Sequence, residues 1–206
     1  MQRMSKAVIE KGGRFLEAPV SGSKAPAANG VLIFLCAGSN ELFDEIAGDN
    51  EALSAMGKAS HFFNTEVGYG TRAKLVVNGL MGTMVAALGE GLALAENVGL
   101  DPSKMIEVIG QGAIMSPVYN LKGPKMIVND HAPNFPLKHA HKDMKLASDM
   151  AKGANVEFSV MDAAETLFAK ARADDELKLA DKDFSAVFET IHKESEGQFS
   201  KKRKLG

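Results

Sequence analysis

The feature that most constrains the fold of this 206-residue chain is a long apolar run near its centre. Residues 71–98, TRAKLVVNGLMGTMVAALGEGLALAENV, contain no proline and are apolar on nearly every face of a helix. A helix with apolar residues all round is typical of the buried centre of a domain. Glycines at positions 79, 82, 89 and 91 would each cost about 1 kcal/mol relative to alanine in an exposed helix. We therefore expect other segments to pack closely against this helix.

The residues before this run have the pattern of a small α/β unit. They predict two helices and three strands, the helices over 2–11 and 40–47 and the strands over 14–20, 30–38 and 61–64. The segment SGSKAPAANG, between the first two strands, is expected to be a flexible polar loop.

The residues after the run predict further helices and no strands. The helical segments are GLDPSKMIEVIGQG, SPVYNLKGPKMIV, LKHAHKDMKLASDMAKG, SVMDAAETLFAKARAD and DFSAVFETIHKES. Asp101 is expected to cap the first of these, and the second is expected to be interrupted near Gly123-Pro124. With the central run, this gives about six helices.

The predicted organisation is an α/β part over residues 1–66, a helical part over 67–195 and a basic flexible tail over 196–206. The tail ends in KKRKLG, which is typical of a solvated terminus, with a nuclear-import or nucleic-acid patch as the alternative.

Composition excludes some classes of function. The net charge of −2 and a pI near 6.2 make nucleic acid an unexpected partner. The single cysteine, Cys36, lies in the apolar run VLIFLCAG and is expected to be a core residue of a protein in a reducing compartment, which favours the cytoplasm. No uninterrupted apolar run reaches the roughly 18 residues of a membrane span, so no membrane partner is expected.

Gly68-Tyr69-Gly70-Thr71-Arg72-Ala73 matches the G-x-G-x-x-A spacing of a dinucleotide-binding turn. That function requires a strand before the turn and, about 20 residues on, an acidic residue at the end of a second strand. Glu90 has the right distance but lies inside the helical run. We therefore interpret the glycines as the opening of a buried helix.

Lys74 and Asn78 are one turn apart in that helix and share a face. Among apolar neighbours, a partly desolvated lysine becomes a better proton donor, and an asparagine beside it can orient a substrate oxygen. The alternative, a lysine whose ammonium reaches solvent and an asparagine bonded to backbone, fits the spacing equally well.

Two further segments are candidates for binding. Ser21-Gly22 follows a strand and can present backbone N–H groups and a hydroxyl to a carboxylate, or it can be a simple turn. Lysines 138, 142 and 145 crowd the start of a helix. Lys138 and Lys142 share one face of it and can form an anion site, or the lysines are a solvated basic face. His139 and His141, two residues apart, face in different directions, so no metal site is predicted.

In this order, APVSGS, GYGTRAKLVVN and FPLKHAHKDMKLA resemble three motifs of the β-hydroxyacid dehydrogenase family, closest to its glyoxylate/succinic semialdehyde reductase branch. The resemblance covers nearly the whole chain. It implies the C-terminal part of a Rossmann-type α/β domain, followed by an all-α domain like the C-terminal domain of 6-phosphogluconate dehydrogenase.

The resemblance also implies a function and residue roles. The reaction would be NADPH-dependent reduction of small aldehyde acids such as glyoxylate or succinic semialdehyde, with NAD(H) as the alternative cofactor. Lys74 would be the general acid and Asn78 would orient the substrate. Ser21 and Gly22 would hold its carboxylate, Phe135 and Asp143 would close the pocket, and Lys142 would contact the cofactor.

In that family a glycine-rich fingerprint precedes the first motif, and this sequence contains none. We therefore expect little activity from the chain by itself. The alternative is a non-enzymatic interaction module derived from the reductase. In either case the helical part is expected to form homo-oligomers.

Overall fold

The computed structural model describes residues 1–48 and 51–203, with side chains described as far as residue 195. The chain divides into two compact units, Met1–Val77 and Asn78–Gly206. The division falls inside the helix α4, Tyr69–Asn97. Our predicted boundary, between residues 66 and 67, lies just before this helix.

The first unit is built on a four-stranded sheet. Before α4 its elements are, in chain order, α1 (Gln2–Ile9), β1 (Leu16–Glu17), β2 (Val20–Ser21), α2 (Lys24–Ala28), β3 (Leu32–Gly38), α3 (Asn40–Ile46) and β4 (Gly57–Asn64). Strands β1 and β2 both pair antiparallel with β3, and β4 pairs parallel with it. The predicted α/β unit is thus confirmed.

Strand β3 supplies the core of this unit. Phe34 and Cys36 are buried and cluster with Leu53. Strands buried on both faces read as continuous apolar runs, which explains VLIFLCAG. Burial, together with the negative charge of Glu17, raises the pKa of the Cys36 thiol to about 11. The prediction of a core cysteine is confirmed, and its thiol is poorly suited to act as a nucleophile.

Three local predictions for this unit were wrong. The segment predicted as one strand over 14–20 contains β1 and the start of β2, which are separate strands. The expected flexible loop contains α2, and Pro26 is tolerated there because it lies in the first turn, where its missing N–H would have no helical partner. Strand β4 begins at Gly57, four residues earlier than the predicted strand. A side chain at Gly57 would collide with the carbonyl oxygen of Leu32, so this strand needs a residue of low strand propensity.

After α4, the second unit contains α5 (Pro102–Gln111), α6 (Pro117–Ile127), α7 (Leu137–Gly153), α8 (Ser159–Ala173), a 3₁₀ turn (Phe184–Ala186) and α9 (Val187–Arg203). Six helices from α4 onward confirm the all-α prediction over the described residues. Asp101 caps α5 by accepting a hydrogen bond from the N–H of Ser103. Residues 204–206 of the predicted tail lie outside the described part of the chain.

Helix α6 corrects another prediction. It continues through Pro124, where an interruption was expected. Proline removes one N–H donor from the helix, and the remaining bonds hold this short segment together. As a result, Lys122 and Met126 both point from α6 into the buried interior.

The second unit packs closely around its part of α4. A side chain at Gly79 would collide with Met161 of α8, and one at Gly82 would collide with Met144 of α7. Among the described residues, α4 is the helix long and apolar enough to cross a membrane by length and composition, a test that the core helix of a soluble protein also passes. The close packing predicted from the glycines is present at Gly79, Gly82 and Gly89, but nothing lies within 4 Å of a Cβ at Gly91. The expectation of burial on nearly every face was wrong, because Leu80 and Leu94 of this helix are exposed.

Candidate active site

Glu17, at the end of β1, closes the N-terminal end of α4. Its Oε1 accepts hydrogen bonds from the backbone N–H groups of Gly68 (2.6 Å), Gly70 (2.8 Å) and Thr71 (3.4 Å). The Thr71 hydroxyl donates to Oε2 at 3.1 Å. The first N–H groups of a helix have no partner within it, so this carboxylate satisfies them.

The structure explains why residues 68 and 70 of this turn are both glycine. Gly68 has a φ of +118°, a conformation that favours glycine. A Cβ at Gly70 would collide with the carbonyl oxygen of Leu35 in β3. The G-x-G spacing therefore follows from a tight approach of the turn to the sheet.

These contacts decide between the two interpretations of residues 68–73. A pyrophosphate would need the same N–H groups that Glu17 already occupies, and the carboxylate would repel it. The turn does not fit a dinucleotide phosphate, and α4 begins at Tyr69 as the interpretation of a helix start predicted.

Lys74 lies in the second turn of α4 and is half-buried. Among the described residues of its own unit, 1–48 and 51–77, it forms no ion pair. Its side chain lies on the same helix face as Asn78, one turn along. A half-buried ammonium without a carboxylate partner in its unit is available to a substrate oxygen.

Asn78 is held by Asp143 of α7. The Asn78 Nδ2 donates to Oδ2 of Asp143 at 2.7 Å. The other carboxylate oxygen pairs with Lys142 at 2.8 Å. Asp143 is only 5% exposed, whereas the side chain of Lys142 is 57% exposed. Asp143 therefore fixes the asparagine and holds a lysine at the surface.

Phe135 is fixed by the 3₁₀ turn near the C-terminus. Its backbone N–H donates to Oδ2 of Asp183 at 3.2 Å, and its carbonyl accepts from the N–H of Phe184 at 2.9 Å. The Phe135 ring meets the ring of Phe184 edge-on, with centroids 5.7 Å apart. The loop before α7 is thus built around Asp183.

Lys122 and Asp183 form a buried ion pair that sequence analysis missed. Their side chains are 3% and 0% exposed, and Nζ lies 2.7 and 2.9 Å from the two carboxylate oxygens. Burial by itself raises the pKa of Asp183, but Lys122 and the N–H groups of Asn134 and Ser185 outweigh it and hold this pKa below its usual value. The pair is separated by 61 residues in sequence, and only the local Asp-x-Ser turn signal was visible.

The histidines of the second unit have protein partners. His131 contacts the Ser185 hydroxyl and the Glu189 carboxylate, at 2.9 and 3.0 Å. His141 contacts Glu165 at 2.8 Å. Within the described residues, no group of three His, Cys, Asp or Glu side chains is arranged to hold a metal ion.

Ser21 and Gly22 end β2 in an ordered turn. Ser21 pairs with Ile33 of β3. Gly22 has a φ of +133°, and a Cβ there would press against Leu32 and Pro26. This geometry fits both sequence interpretations, a carboxylate site and a simple turn, and the role of Ser21 and Gly22 stays a prediction.

The predicted site residues fall into two sets. Ser21, Gly22 and Lys74 belong to the first unit. The second unit contains the others, of which Asp143 contacts both Asn78 and Lys142, and Phe135 is held separately by Asp183.

Comparison with known proteins gives the class. Residues 68–191 match the family model described as NAD-binding of NADP-dependent 3-hydroxyisobutyrate dehydrogenase, and residues 1–70 match that of the NAD binding domain of 6-phosphogluconate dehydrogenase. The chain belongs to the β-hydroxyacid dehydrogenase family, which confirms the resemblance seen in the sequence.

Particular relatives refine this placement. Glyoxylate/succinic semialdehyde reductase 2, chloroplastic, of Arabidopsis thaliana is 47% identical over 91% of this chain and 51% of its own length. Reductase 1 of the same plant is 43% identical over 92% and 63%. The human cytokine-like nuclear factor N-PAC is 33% identical over 90% and 32%. The chain thus spans about a third to two thirds of the length of these relatives.

A solved structure supports the fold. The 3-hydroxyisobutyrate dehydrogenase of Salmonella typhimurium superposes with a TM-score of 0.82 at 25% identity, over 91% of this chain and 64% of that one. The expected architecture, an α/β part of Rossmann type followed by a helical domain, is confirmed.

Proposed function

We propose that this chain carries the catalytic part of an NADPH-dependent reductase that converts small aldehyde acids, such as glyoxylate or succinic semialdehyde, to hydroxy acids. The observation that carries the proposal is Lys74, a half-buried ammonium without a carboxylate partner in its unit, one helical turn from an asparagine that Asp143 fixes. The similarity to two reductases named for these substrates supports the choice of substrate class.

Each residue has a chemical role in this proposal. As the carbonyl carbon is reduced, its oxygen gains alkoxide charge, which the Lys74 ammonium stabilises and then neutralises by donating a proton. Asn78, held by Asp143, orients the same oxygen. Ser21 and Gly22 bind the substrate carboxylate, and Phe135 excludes water from the pocket.

Some of the residues fit the cofactor and others do not. The turn at 68–71 does not fit its pyrophosphate, because Glu17 occupies the N–H groups. Lys142 does fit a contact with the cofactor, since its ammonium is more than half exposed and Asp143 holds it. Reduced nicotinamide supplies the hydride when it is bound.

The test of the proposal is the Lys74→Ala variant. We expect kcat for glyoxylate to fall by about 100-fold or more, the contribution typical of a general acid, with little change in NADPH affinity. Lys138→Ala, which removes a lysine that already pairs with Asp181, is the matched control. An unchanged kcat in Lys74→Ala would remove Lys74 from its role.

The assay uses two proteins. The 206-residue chain is expected to bind NADPH weakly and turn over slowly, because its one G-x-G-x-x-A turn is occupied by Glu17. The same chain joined to a glycine-rich nucleotide-binding half, of the kind that the family has before this region, is expected to be active. Rapid turnover by the 206-residue chain would contradict the first expectation, and inactivity of both would contradict the proposed function.

The second candidate is a non-enzymatic interaction module. The similarity to a relative named as a nuclear factor favours it, since that protein shares the same region at 33% identity. The two candidates differ in their response to substrate. In the chain joined to a nucleotide-binding half, glyoxylate with NADPH would shift the Lys74 and Asn78 resonances of a reductase and would leave those of an interaction module unchanged.

Self-association is part of either candidate. Leu80 and Leu94 on α4, and Val98 just after it, are more than half exposed, which favours burial against a second copy. Sedimentation of the chain and of a Leu94→Asp variant measures this, and a monomer in both cases would contradict it. A cytoplasmic location stays a prediction, and one relative is named chloroplastic.

A further inference from the structure

The Glu17 carboxylate is buried without a cation. Only 1% of the residue is exposed, and the donors that surround it are three backbone N–H groups and one hydroxyl. Over the described residues of the first unit, it forms no ion pair with lysine or arginine. A buried charge is costly unless it is fully hydrogen-bonded, so these four bonds and the positive end of α4 must stabilise it.

The same bonds restrain the backbone that carries Lys74. In an α-helix the N–H of Lys74 donates to the carbonyl of Gly70, and Thr71 lies one turn before Lys74 on the same face. Glu17 accepts hydrogen bonds from the N–H of Gly70 and from both the N–H and the hydroxyl of Thr71. A shift of this first turn would therefore displace the Lys74 side chain.

Glu17 also joins this turn to the sheet. It is the last residue of β1, which pairs with β3 at Ala37. Gly70 lies against the Leu35 carbonyl of the same central strand. Ser21, in the next strand, pairs with β3 at Ile33. The start of α4 and the turn predicted to bind carboxylate are thus both held against the same strand, β3.

We propose that Glu17 is a positioning residue for Lys74: its carboxylate fixes the first turn of α4 against the sheet and so sets the direction of the lysine ammonium. The inference that this matters for proton donation rests on the proposed function. The positioning itself does not, and it is measured without turnover.

The experiment compares Glu17→Gln with Glu66→Gln by NMR in the 206-residue chain. Glutamine has the shape of glutamate but no charge: its one carbonyl oxygen can replace Oε1, while its NH₂ group takes the place of the oxygen that accepted from the Thr71 hydroxyl. Glu66 is exposed and lies two residues before Gly68, so its variant removes the same charge nearby without touching the cap. The probes are amide exchange at Gly70 and Thr71 and the ¹³Cε signal of labelled Lys74, assigned with Lys74→Arg.

In Glu17→Gln, amide exchange at Gly70 and Thr71 is expected to be faster by about tenfold or more, and the Lys74 signal is expected to move. Glu66→Gln is expected to change neither. Unchanged amide exchange at Gly70 and Thr71 would show that Glu17 does not stabilise the first turn of α4, and would overturn the proposal. Faster exchange with an unmoved Lys74 signal would show a purely structural cap and overturn the positioning role.

A milder variant covers the case in which Glu17→Gln fails to fold. Thr71→Val keeps the shape of the side chain and removes only the hydroxyl donor to Glu17. A smaller change of the same kind in both probes supports the proposal, and no change in the Lys74 signal overturns it. In the active fusion protein, Glu17→Gln is expected to lower kcat with little change in KM. If no preparation reduces glyoxylate, the proposed function fails, while the NMR result still decides the role of Glu17.

Discussion

Glu17 in the first unit and Asp183 in the second are both buried carboxylates, but their charges are stabilised differently. Glu17 accepts hydrogen bonds from neutral donors at the start of a helix. Asp183 accepts from three backbone N–H groups and also pairs with the buried ammonium of Lys122. One carboxylate organises a helix end, and the other organises a loop.

The difference lies in what a single substitution leaves behind. Loss of the Glu17 charge leaves neutral N–H groups, which are moderately costly when buried. Loss of Lys122 leaves a buried negative charge without its cation, which is far more costly. The chain has two tyrosines, Tyr69 and Tyr119, one in each unit, so their signals can report on the two regions separately.

The largest effect is expected from Lys122→Met. We expect the second unit to lose about 3–5 kcal/mol of unfolding free energy, because Asp183 stays buried and unpaired. Denaturant unfolding followed at Tyr119 measures the loss. The double variant Lys122→Met with Asp183→Asn, which removes both charges and keeps an acceptor, should recover much of it. A loss below about 1 kcal/mol in the single variant would show that the pair is not needed.

A smaller loss is expected from Glu17→Gln. Because one neutral acceptor oxygen remains, we expect about 2 kcal/mol, followed at Tyr69. Glu66→Gln is the control and should be close to the unmodified chain. A loss as large as that of Lys122→Met would remove the distinction between the two carboxylates.

Acid should weaken the second unit through Asp183. Its pKa is lower in the folded chain than its usual 3.8, so its contribution is complete above that value and is lost as pH falls through the lower, folded pKa. Unfolding at Tyr119 measured between about pH 5 and 2 should show this loss. The neutral double variant should have a shallower pH dependence, and an identical dependence would contradict the assignment to Asp183.

The smallest effect is expected from Thr71→Val, which removes one hydrogen bond to Glu17. We expect about 1 kcal/mol, because a single neutral donor contributes little net free energy. Thr83→Val, which removes a hydroxyl bonded to its own helix backbone, is the control and should change less. Equal losses of unfolding free energy in the two variants would mean that the hydrogen bond to Glu17 contributes no more than a bond within the helix.

Features set by neighbouring residues were predictable. The cap at Asp101 and the start of α4 follow from local hydrogen bonding and from the apolar pattern. The errors at α2 and α6 have different causes: the small polar composition of residues 21–30 predicted a loop, whereas Pro124 was read as a break that α6 accommodates. Proline removes a single donor, and packing of the rest decides whether a short helix survives.

The contacts that build the site could not be predicted in the same way. Glu17 meets the start of α4 across 51 to 54 residues, and Lys122 meets Asp183 across 61. Neither pair has a spacing signal, because the distance is closed by strands and helices rather than by a turn. The family motifs indicated Lys74, Asn78 and Asp143, but the hydrogen bond between Asn78 and Asp143 is seen only in the folded structure.

The close fit of Met144 and Met161 against Gly82 and Gly79 of α4 has a consequence for oxidative ageing. Both methionines are almost completely shielded, so peroxide reaches their sulfurs only when the helices separate. A sulfoxide oxygen then needs space that the α4 backbone fills on closing. Oxidation during an opening event therefore hinders reclosure, and the sulfoxide found at Met144 and Met161 of an old preparation, as distinct from the exposed methionines, records opening of the helical unit.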